Sequence, residues 1–199
     1  MAVACEDGQV LVSEDTGTTW RALTTPFSTA AVLALAVNSE TVFVATSSGR
    51  ETVLWRSIDS GVSWQRWLVE PGHHAALSIA VSPNYRVDEL VFVGLDSTVL
   101  RPSRGAEEVR KRERRPLWTR TTVARCPPRI TSVATSADAR SLFVATNVGV
   151  FTSRDYGQAF SAWSDGLDER PIVAIAQSQT LDVFALELGG QVWRRAVAQ

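Results

Sequence analysis

The sequence has few residues on which cysteine, histidine or tyrosine chemistry could be built. Its 199 residues include two cysteines (Cys5 and Cys126), two histidines and two tyrosines. Two cysteines are too few for a disulfide framework, so we expect two unpaired thiols in a reducing compartment. The histidines, His73 and His74, are adjacent, and neighbouring residues seldom chelate one ion. The sequence therefore predicts no disulfide scaffold, no metal site and no cofactor.

The chain also lacks long apolar runs and an excess of charge of either sign. No stretch approaches the roughly 18 apolar residues of a membrane span. The amino terminus shows no basic segment followed by an apolar run, which a secretory signal would need. The formal net charge of −1 disfavours a globally basic nucleic-acid binder. We therefore expect a cytoplasmic protein without a transmembrane segment, or an exported protein if the sequence is part of a longer one.

The sequence does contain a short signature, Ser-x-Asp-x-Gly-x-x-aromatic, which occurs three times. Its serines stand 44 and then 96 residues apart, and 96 is two steps of 48. Ser and Asp side chains can hydrogen-bond the backbone of their own turn, and Gly tolerates the positive φ that a hairpin needs. We therefore predict a structural role for all three copies. Their residues are Ser13, Asp15, Gly17 and Trp20; Ser57, Asp59, Gly61 and Trp64; and Ser153, Asp155, Gly157 and Phe160.

Short strands recur between these turns. A strand rich in small residues opens four of the units, as expected at the crowded axis of a propeller. Each unit continues with a second strand, a third strand that enters the turn and a fourth strand that leaves it. The first unit lacks its innermost strand and the last lacks its fourth, so the pattern predicts 18 strands in five units.

These features predict an all-β fold, with one β-propeller domain over residues 1–199. It would have about five four-stranded antiparallel blades, of which the first and last are incomplete. The expected blades are 1–26, 30–70, 75–124, 129–166 and 171–199, with a basic insertion at 101–117. Incomplete blades leave unpaired edges, which proteins cover by ring closure or by another chain. The sequence leaves open a ring closed within one chain and a homodimer.

The three turns and the segment 82–94 resemble bacterial propellers with Asp-box repeats, also called BNR repeats. Similar propellers include sialidases and other glycosidases, sortilin-type receptors and assembly factors of photosynthetic complexes. The resemblance implies that each box lies on the hairpin between the third and fourth strands. There Asp15, Asp59 and Asp155 would hold the turn, away from the axial pocket. It does not imply one activity, because a fold does not determine function.

Residues for glycoside hydrolysis are scarce. Sialidases, which the repeat resembles, need an arginine cluster, a Tyr–Glu pair and an acid, but Tyr156 lies inside a box and Tyr85 in a loop. Other glycosidases need two carboxylates about 5 to 9.5 Å apart. Sequence spacing does not place the candidates opposite one another. The candidates on blade loops are Glu70, Asp96, Asp165, Asp168 and Glu169, and His73 is a candidate for ligand contact.

The third blade departs from the repeat, because a basic insertion stands where a box is expected. From Arg101 to Arg125 there are nine basic and three acidic residues, a net charge of +6. The insertion is either a solvated loop or a docking element for an anionic surface. Nucleic acid is disfavoured because no aromatic residue interleaves the run, so an acidic protein is the preferred partner. The candidate partner-binding residues are Arg110, Lys111, Arg112, Arg114 and Arg115.

Two functions from different classes follow. The first is a non-enzymatic interaction or scaffold module, such as an accessory or assembly subunit of a larger complex. The second is a propeller that binds or cleaves glycans. The scarcity of tyrosine and the small number of blades favour the first. We also predict that Trp20, Trp64 and Trp118 pack between neighbouring blades.

Overall fold

A computed structural model describes residues 1–5, 7–27, 30–72, 74, 77–103, 116–125, 128–163, 166–178 and 182–196. Five antiparallel sheets of three, four, four, four and three strands contain the 18 strands, and consecutive strands are neighbours in each sheet. We call these sheets blades one to five in chain order. The predicted all-β fold with incomplete first and last blades is confirmed. Blades one and two form one compact unit and blades three to five another, so the single domain over residues 1–199 stays a prediction.

The first unit contains seven strands. Blade one consists of β1 (Ala2–Ala4), β2 (Val10–Val12) and β3 (Arg21–Ala22), and blade two of β4 (Ala31–Asn38), β5 (Thr41–Ser47), β6 (Glu51–Ser57) and β7 (Gln65–Pro71). A core cluster that includes Val10, Leu23 and Val44 packs blade one against blade two. The strand β3 has only two residues, whereas β7, the fourth strand of blade two, has seven.

The second unit contains eleven strands and one turn of helix. Blade three consists of β8 (Leu77–Val81), β9 (Val91–Leu95), β10 (Thr98–Pro102) and β11 (Trp118–Thr122). Blade four consists of β12 (Ile130–Thr135), β13 (Leu142–Thr146), β14 (Gly149–Ser153) and β15 (Ser161–Ala162). Blade five consists of β16 (Ile172–Gln177), β17 (Asp182–Glu187) and β18 (Val192–Ala196), and α1 (Tyr85–Asp88) connects β8 to β9. No helix in these described ranges is long and apolar enough to cross a membrane.

The second strand of a complete blade is its most buried element. Every residue of β5, β9 and β13 is buried. Their shared Val/Leu-Phe-Val sequence suits a strand covered on both faces, because β-branched and aromatic side chains pack well on a pleated surface. The apolar runs that the sequence showed are therefore the central strands of the blades.

Small residues on the innermost strands also form hydrogen bonds between neighbouring blades. In the second unit, Ser78 Oγ accepts the backbone N–H of Val133 at 3.0 Å. Ser132 Oγ accepts the N–H of Ile175 in the same way at 3.3 Å. Each hydroxyl thus joins one blade to the next. Blades three and four also approach closely at Gly94, where an added Cβ would lie 2.6 Å from Val133 Cγ2.

Candidate functional site

The three signature turns share one hydrogen-bond network. In each, the Ser hydroxyl donates to the Asp carboxylate and accepts the N–H of Gly, and the same carboxylate accepts an N–H four residues further on. These distances are 2.8, 2.7 and 2.8 Å in the turn of Asp15. They are 2.7, 2.8 and 2.9 Å at Asp59 and 2.6, 2.9 and 3.1 Å at Asp155. The carboxylates are thus engaged by their own turns.

One additional hydroxyl distinguishes the first two turns from the third. Thr19 Oγ1 donates to Asp15 Oδ2 at 2.6 Å, and Ser63 Oγ donates to Asp59 Oδ2 at 2.5 Å. These side-chain bonds are the largest cause that lowers the pKa of Asp15 and Asp59 to about 2. Ala159 occupies this position in the third turn. Partial burial opposes ionisation of Asp155, but hydrogen bonds from Ser153 and two backbone N–H groups still lower its pKa.

Glycine is required most strongly in the second turn. Gly61 has a φ of +88°, and a Cβ there would lie 2.3 Å from Leu23 Cδ1. Both the backbone conformation and the close approach of Leu23 therefore disfavour a side chain at this position. The residue before each signature glycine also has positive φ, since Thr16, Ser60 and Tyr156 lie between 55° and 60°.

The tryptophans of the turns differ in their surroundings. Trp64 Nε1 donates to the carbonyl of Thr24 at 3.1 Å, and its ring lies edge-on to Phe27 at 5.4 Å, so Trp64 joins blade two to the segment after β3. Trp20 is 39% exposed, and its Nε1 donates to Gly17 of its own turn at 3.0 Å. Packing of Trp20 between blades therefore stays a prediction.

The candidate catalytic residues lie on separate parts of the chain. Glu70 is buried in β7, Asp96 lies in the turn between β9 and β10, and Asp168 and Glu169 are exposed before β16. His73 and Asp165 fall outside the described residues. Among the residues that are described, no group of three His, Cys, Asp or Glu side chains could hold a metal ion.

The two tyrosines are both in packed surroundings. Tyr85 is buried at the start of α1, and Tyr156 packs against the core cluster between blades three and four. The hydroxyl oxygen of Tyr85 is buried, and Tyr156 is partly buried against that cluster.

The basic insertion begins and ends on one hairpin. Arg101 pairs with Thr119 and Pro102 with Trp118 in the ladder of β10 and β11. Ser103 N–H donates to the carbonyl of Leu117 at 2.7 Å and extends this ladder. The five predicted partner-binding residues lie between these ends, outside the described residues. They are Arg110, Lys111, Arg112, Arg114 and Arg115.

A cluster that the sequence analysis missed lies on blade five. Arg170 stacks on the ring of Trp193, with Cζ 4.9 Å from the ring centroid, and pairs with Glu187 at 3.2 Å. Trp193 Nε1 also donates to Glu187, at 3.2 Å. Arg195 stacks on Trp163 at 4.9 Å. We call this cluster the Trp–Arg surface, defined by Trp163, Arg170, Glu187, Trp193, Arg194 and Arg195.

The Trp–Arg surface borders a small apolar hollow. The hollow has a volume of about 40 Å³ and is lined by Trp163, Leu167, Val183, Ala185, Trp193, Arg194 and Arg195. Arg194 pairs with Asp182 at 2.7 Å beside it. Alternation along β18 indicates one part of this arrangement, since Trp193 and Arg195 share a face of the strand. Trp163 and Arg170 come from other segments, so sequence spacing does not reveal them.

No family model matches this sequence, and no curated protein matches it. The Asp-box assignment therefore stays a prediction. Solved structures do match. YCF48 from Cyanidioschyzon merolae superposes with a TM-score of 0.68 at 13% identity, over 98% of this chain and 65% of that chain. A structure of YCF48 bound to D1 peptide gives 0.62 at 10% identity, over 97% and 58%.

Two further neighbours are a β-propeller domain and an enzyme. The β-propeller domain of Cps50 (Swd1) from Myceliophteria thermophila has a TM-score of 0.67 at 13% identity, over 99% of this chain and 66% of that one. A GH74 xyloglucanase from Xanthomonas campestris has 0.69 at 14% identity, over 97% and 34%. At such identities the likeness shows the fold alone, which is that of a β-propeller. This chain spans less than two thirds of the YCF48 chain from Cyanidioschyzon merolae.

Proposed function

We propose that this chain is a non-enzymatic propeller that binds another protein and serves as an interaction or assembly subunit. The observation that carries the proposal is the Trp–Arg surface beside the exposed strand β18. Tryptophan and arginine are the side chains most enriched where proteins bind one another tightly. The YCF48 structure bound to a D1 peptide is a precedent for peptide binding by a neighbour of this fold.

The three signature turns act as Asp-boxes in this proposal. Their serine and aspartate side chains bond within the turn, and these bonds lower the pKa of each aspartate below its ordinary value. An ionised, internally bonded carboxylate is a poor general acid at neutral pH. The boxes therefore hold the hairpins, and binding takes place elsewhere.

An acidic partner fits both the basic insertion and the arginines of the Trp–Arg surface. The insertion between β10 and β11 belongs to a segment with a net charge of +6. Its residues Arg110 to Arg115 would steer an acidic surface toward the protein, with an association rate that falls as salt rises. A homodimer and a cytoplasmic location remain predictions from the sequence.

The alternative function, glycan binding or hydrolysis, has less support. A GH74 xyloglucanase is among the neighbours, but sugars stack on open aromatic faces. Here arginines lie over Trp163 and Trp193, and both tyrosines are packed against the protein.

The experiment compares an acidic peptide with its basic counterpart by fluorescence anisotropy at low and high salt. Replacing Arg110, Arg112, Arg114 and Arg115 by Ser should weaken acidic-peptide binding about tenfold at low salt and remove most of its salt dependence. The matched control replaces Arg21, Arg50, Arg129 and Arg154, which are exposed and lie outside the basic segment, by Ser. Both variants should keep the parent melting temperature. Equal affinity of the two variants would reject the docking role, and hydrolysis of xyloglucan or a sialoside would reject the non-enzymatic proposal.

A further inference from the structure

An arginine occupies the same position of the third strand in blades two, three and five. Arg56, Arg101 and Arg194 each stand one residue after the residue that lies opposite the middle of the second strand. Two of these arginines are engaged by their own blades. Arg56 Cζ lies 5.0 Å from the centre of the Trp67 ring, and Arg194 pairs with Asp182 at 2.7 Å. Arg101 differs from both.

Blade three has no counterpart of either partner. Trp67 lies at an irregularity in the pairing of β6 with β7, whereas β10 pairs with β11 residue by residue. Leu90, two residues before the phenylalanine of the second strand, stands where blade five has Asp182. In the part of the chain that the structure describes, the side chain of Arg101 accordingly makes no hydrogen bond, ion pair or ring contact.

Arg101 is nevertheless held in packed surroundings, against the signature turn of blade four. An added Cβ at Gly157 would lie 3.8 Å from Arg101 Cδ, so the methylene stem of the arginine packs on this turn. Its Nε is buried. Asp155, the carboxylate of the same turn, accepts hydrogen bonds within the turn instead. A desolvated guanidinium without an acceptor destabilises the fold, and an anion from outside would supply the acceptor.

We infer that Arg101 is the anchor for the acidic partner, and that its guanidinium binds a carboxylate side chain of that partner at the seam between blades three and four. This inference rests on the proposed protein-binding function and adds a binding residue to it. Because Nε is buried, the carboxylate would meet the two Nη atoms, which can donate two parallel hydrogen bonds. Arg101 also opens the segment with a net charge of +6, so an acidic surface is drawn to this place.

Arg101 and the insertion act on different steps of binding. Charges spread along the insertion attract an acidic surface before contact, and salt screens this attraction. A guanidinium that is fixed by packing and partly desolvated acts after contact, on the rate of dissociation. The insertion would therefore attract the partner, and Arg101 would retain it.

The first measurement is thermal stability. Met is unbranched and can fill the space of the arginine stem, and removing an uncompensated charge from packed surroundings is neutral or stabilising. The melting temperature of Arg101→Met should therefore equal or exceed that of the parent. Arg56→Met is the matched control, because the same substitution in blade two removes the stacking on Trp67. It should lower the melting temperature by about 2–4 °C and leave binding unchanged.

The second measurement is the rate of peptide exchange. The probe is a short labelled peptide in which glutamate alternates with serine, and stopped-flow fluorescence gives both rate constants. Arg101→Met should raise the dissociation rate about tenfold and leave the association rate and its salt dependence near those of the parent. Arg101→Lys keeps the charge but loses the planar pair of donors, so it should recover only part of the slow dissociation. The fourfold serine variant of the insertion should instead lower the association rate.

Three outcomes would overturn the inference, and each has its own meaning. If Arg101→Met lowers the melting temperature as Arg56→Met does, Arg101 serves the fold. If the peptide leaves Arg101→Met at the parent rate, the carboxylate binds elsewhere and the proposed function stands. If the peptide does not bind the unmodified chain, the proposed function fails together with the inference.

Discussion

The strands of blade two and blade five follow the same antiparallel order, but blade two has four described strands and blade five has three. In blade two, β6 has β5 on one side and β7 on the other, and four of its seven residues are buried. In blade five, β18 has β17 alone, and four of its five residues are exposed. Val10 and Val150, at the position of Val192 in their own blades, are 0% and 3% exposed, against 63% for Val192. The position is a core position in the repeat and a surface position in blade five.

The two blades also differ in how they cover the tryptophan of the third strand. In blade two, Arg66 of the fourth strand lies over Trp55 at 5.9 Å and pairs with Glu51 at 2.5 Å. In blade five, Arg170 lies over Trp193 and pairs with Glu187, but it precedes β16 in the chain. A loop arginine thus takes the place of one from a fourth strand. The tryptophan of blade five is thus covered without a fourth strand.

The largest expected difference between these blades concerns their central strands. Phe43 in β5 is fully buried, whereas Phe184 at the same position of β17 is half-buried. Phe43→Ala should cost about 3–5 kcal/mol of unfolding free energy. Phe184→Ala should cost roughly 1–2 kcal/mol, because less of its side chain leaves water on folding. Urea unfolding of the two variants measures both, and equal losses would mean that the open blade is as well packed as the complete one.

A smaller difference is expected at two glycines with the same backbone conformation. Gly61 in blade two has a φ of +88°, and Gly190 in blade five has +86°. An added Cβ clashes with Leu23 at Gly61 and meets nothing within 4 Å at Gly190. Gly190→Ala should cost about 1–2 kcal/mol from the left-handed conformation alone, and Gly61→Ala about 1–3 kcal/mol more from overpacking. Equal melting temperatures for the two variants would show that Leu23 moves aside at no cost.

The smallest effect concerns the turn of blade two and its counterpart in blade four. The pKa of Asp59 is lowered to about 2 from 3.8, so its stabilising contribution is complete above the unfolded value and is lost as pH falls from about 4 to about 2. Ser63→Ala should raise the pKa of Asp59 and move acid unfolding to higher pH. Ala159→Ser, which adds the missing hydroxyl to the other turn, should move it to lower pH. Carboxyl NMR titration and circular dichroism measure both shifts, and unchanged midpoints would contradict this account of the turns.

The sequence predicted the blades because their signals are local. Alternation, turn residues and the position of each box depend on neighbouring residues, so 18 strands and two incomplete blades could be counted. The length of the fourth strands could not be predicted, since β3 and β15 have two residues each and depend on pairing with the third strand.

The Trp–Arg surface could not be predicted for a different reason. Trp163 follows β15, Arg170 precedes β16 and Trp193 lies in β18. Only the packing of blade four against blade five brings these side chains together. The basic insertion, by contrast, stood out in the sequence because its charges are contiguous.

The serine hydroxyls on the innermost strands have a consequence for how the blades fold together. Ser78 and Ser132 each accept a backbone N–H from the following blade, so these strands satisfy their neighbours' amides only when both blades are formed. We therefore expect folding of blades three, four and five to be cooperative between nearest neighbours, as in stacked repeat proteins. At the same position of β16 stands Ala174, which has no hydroxyl. The hydroxyl couplings seen in the second unit therefore run from blade three to blade four and from blade four to blade five.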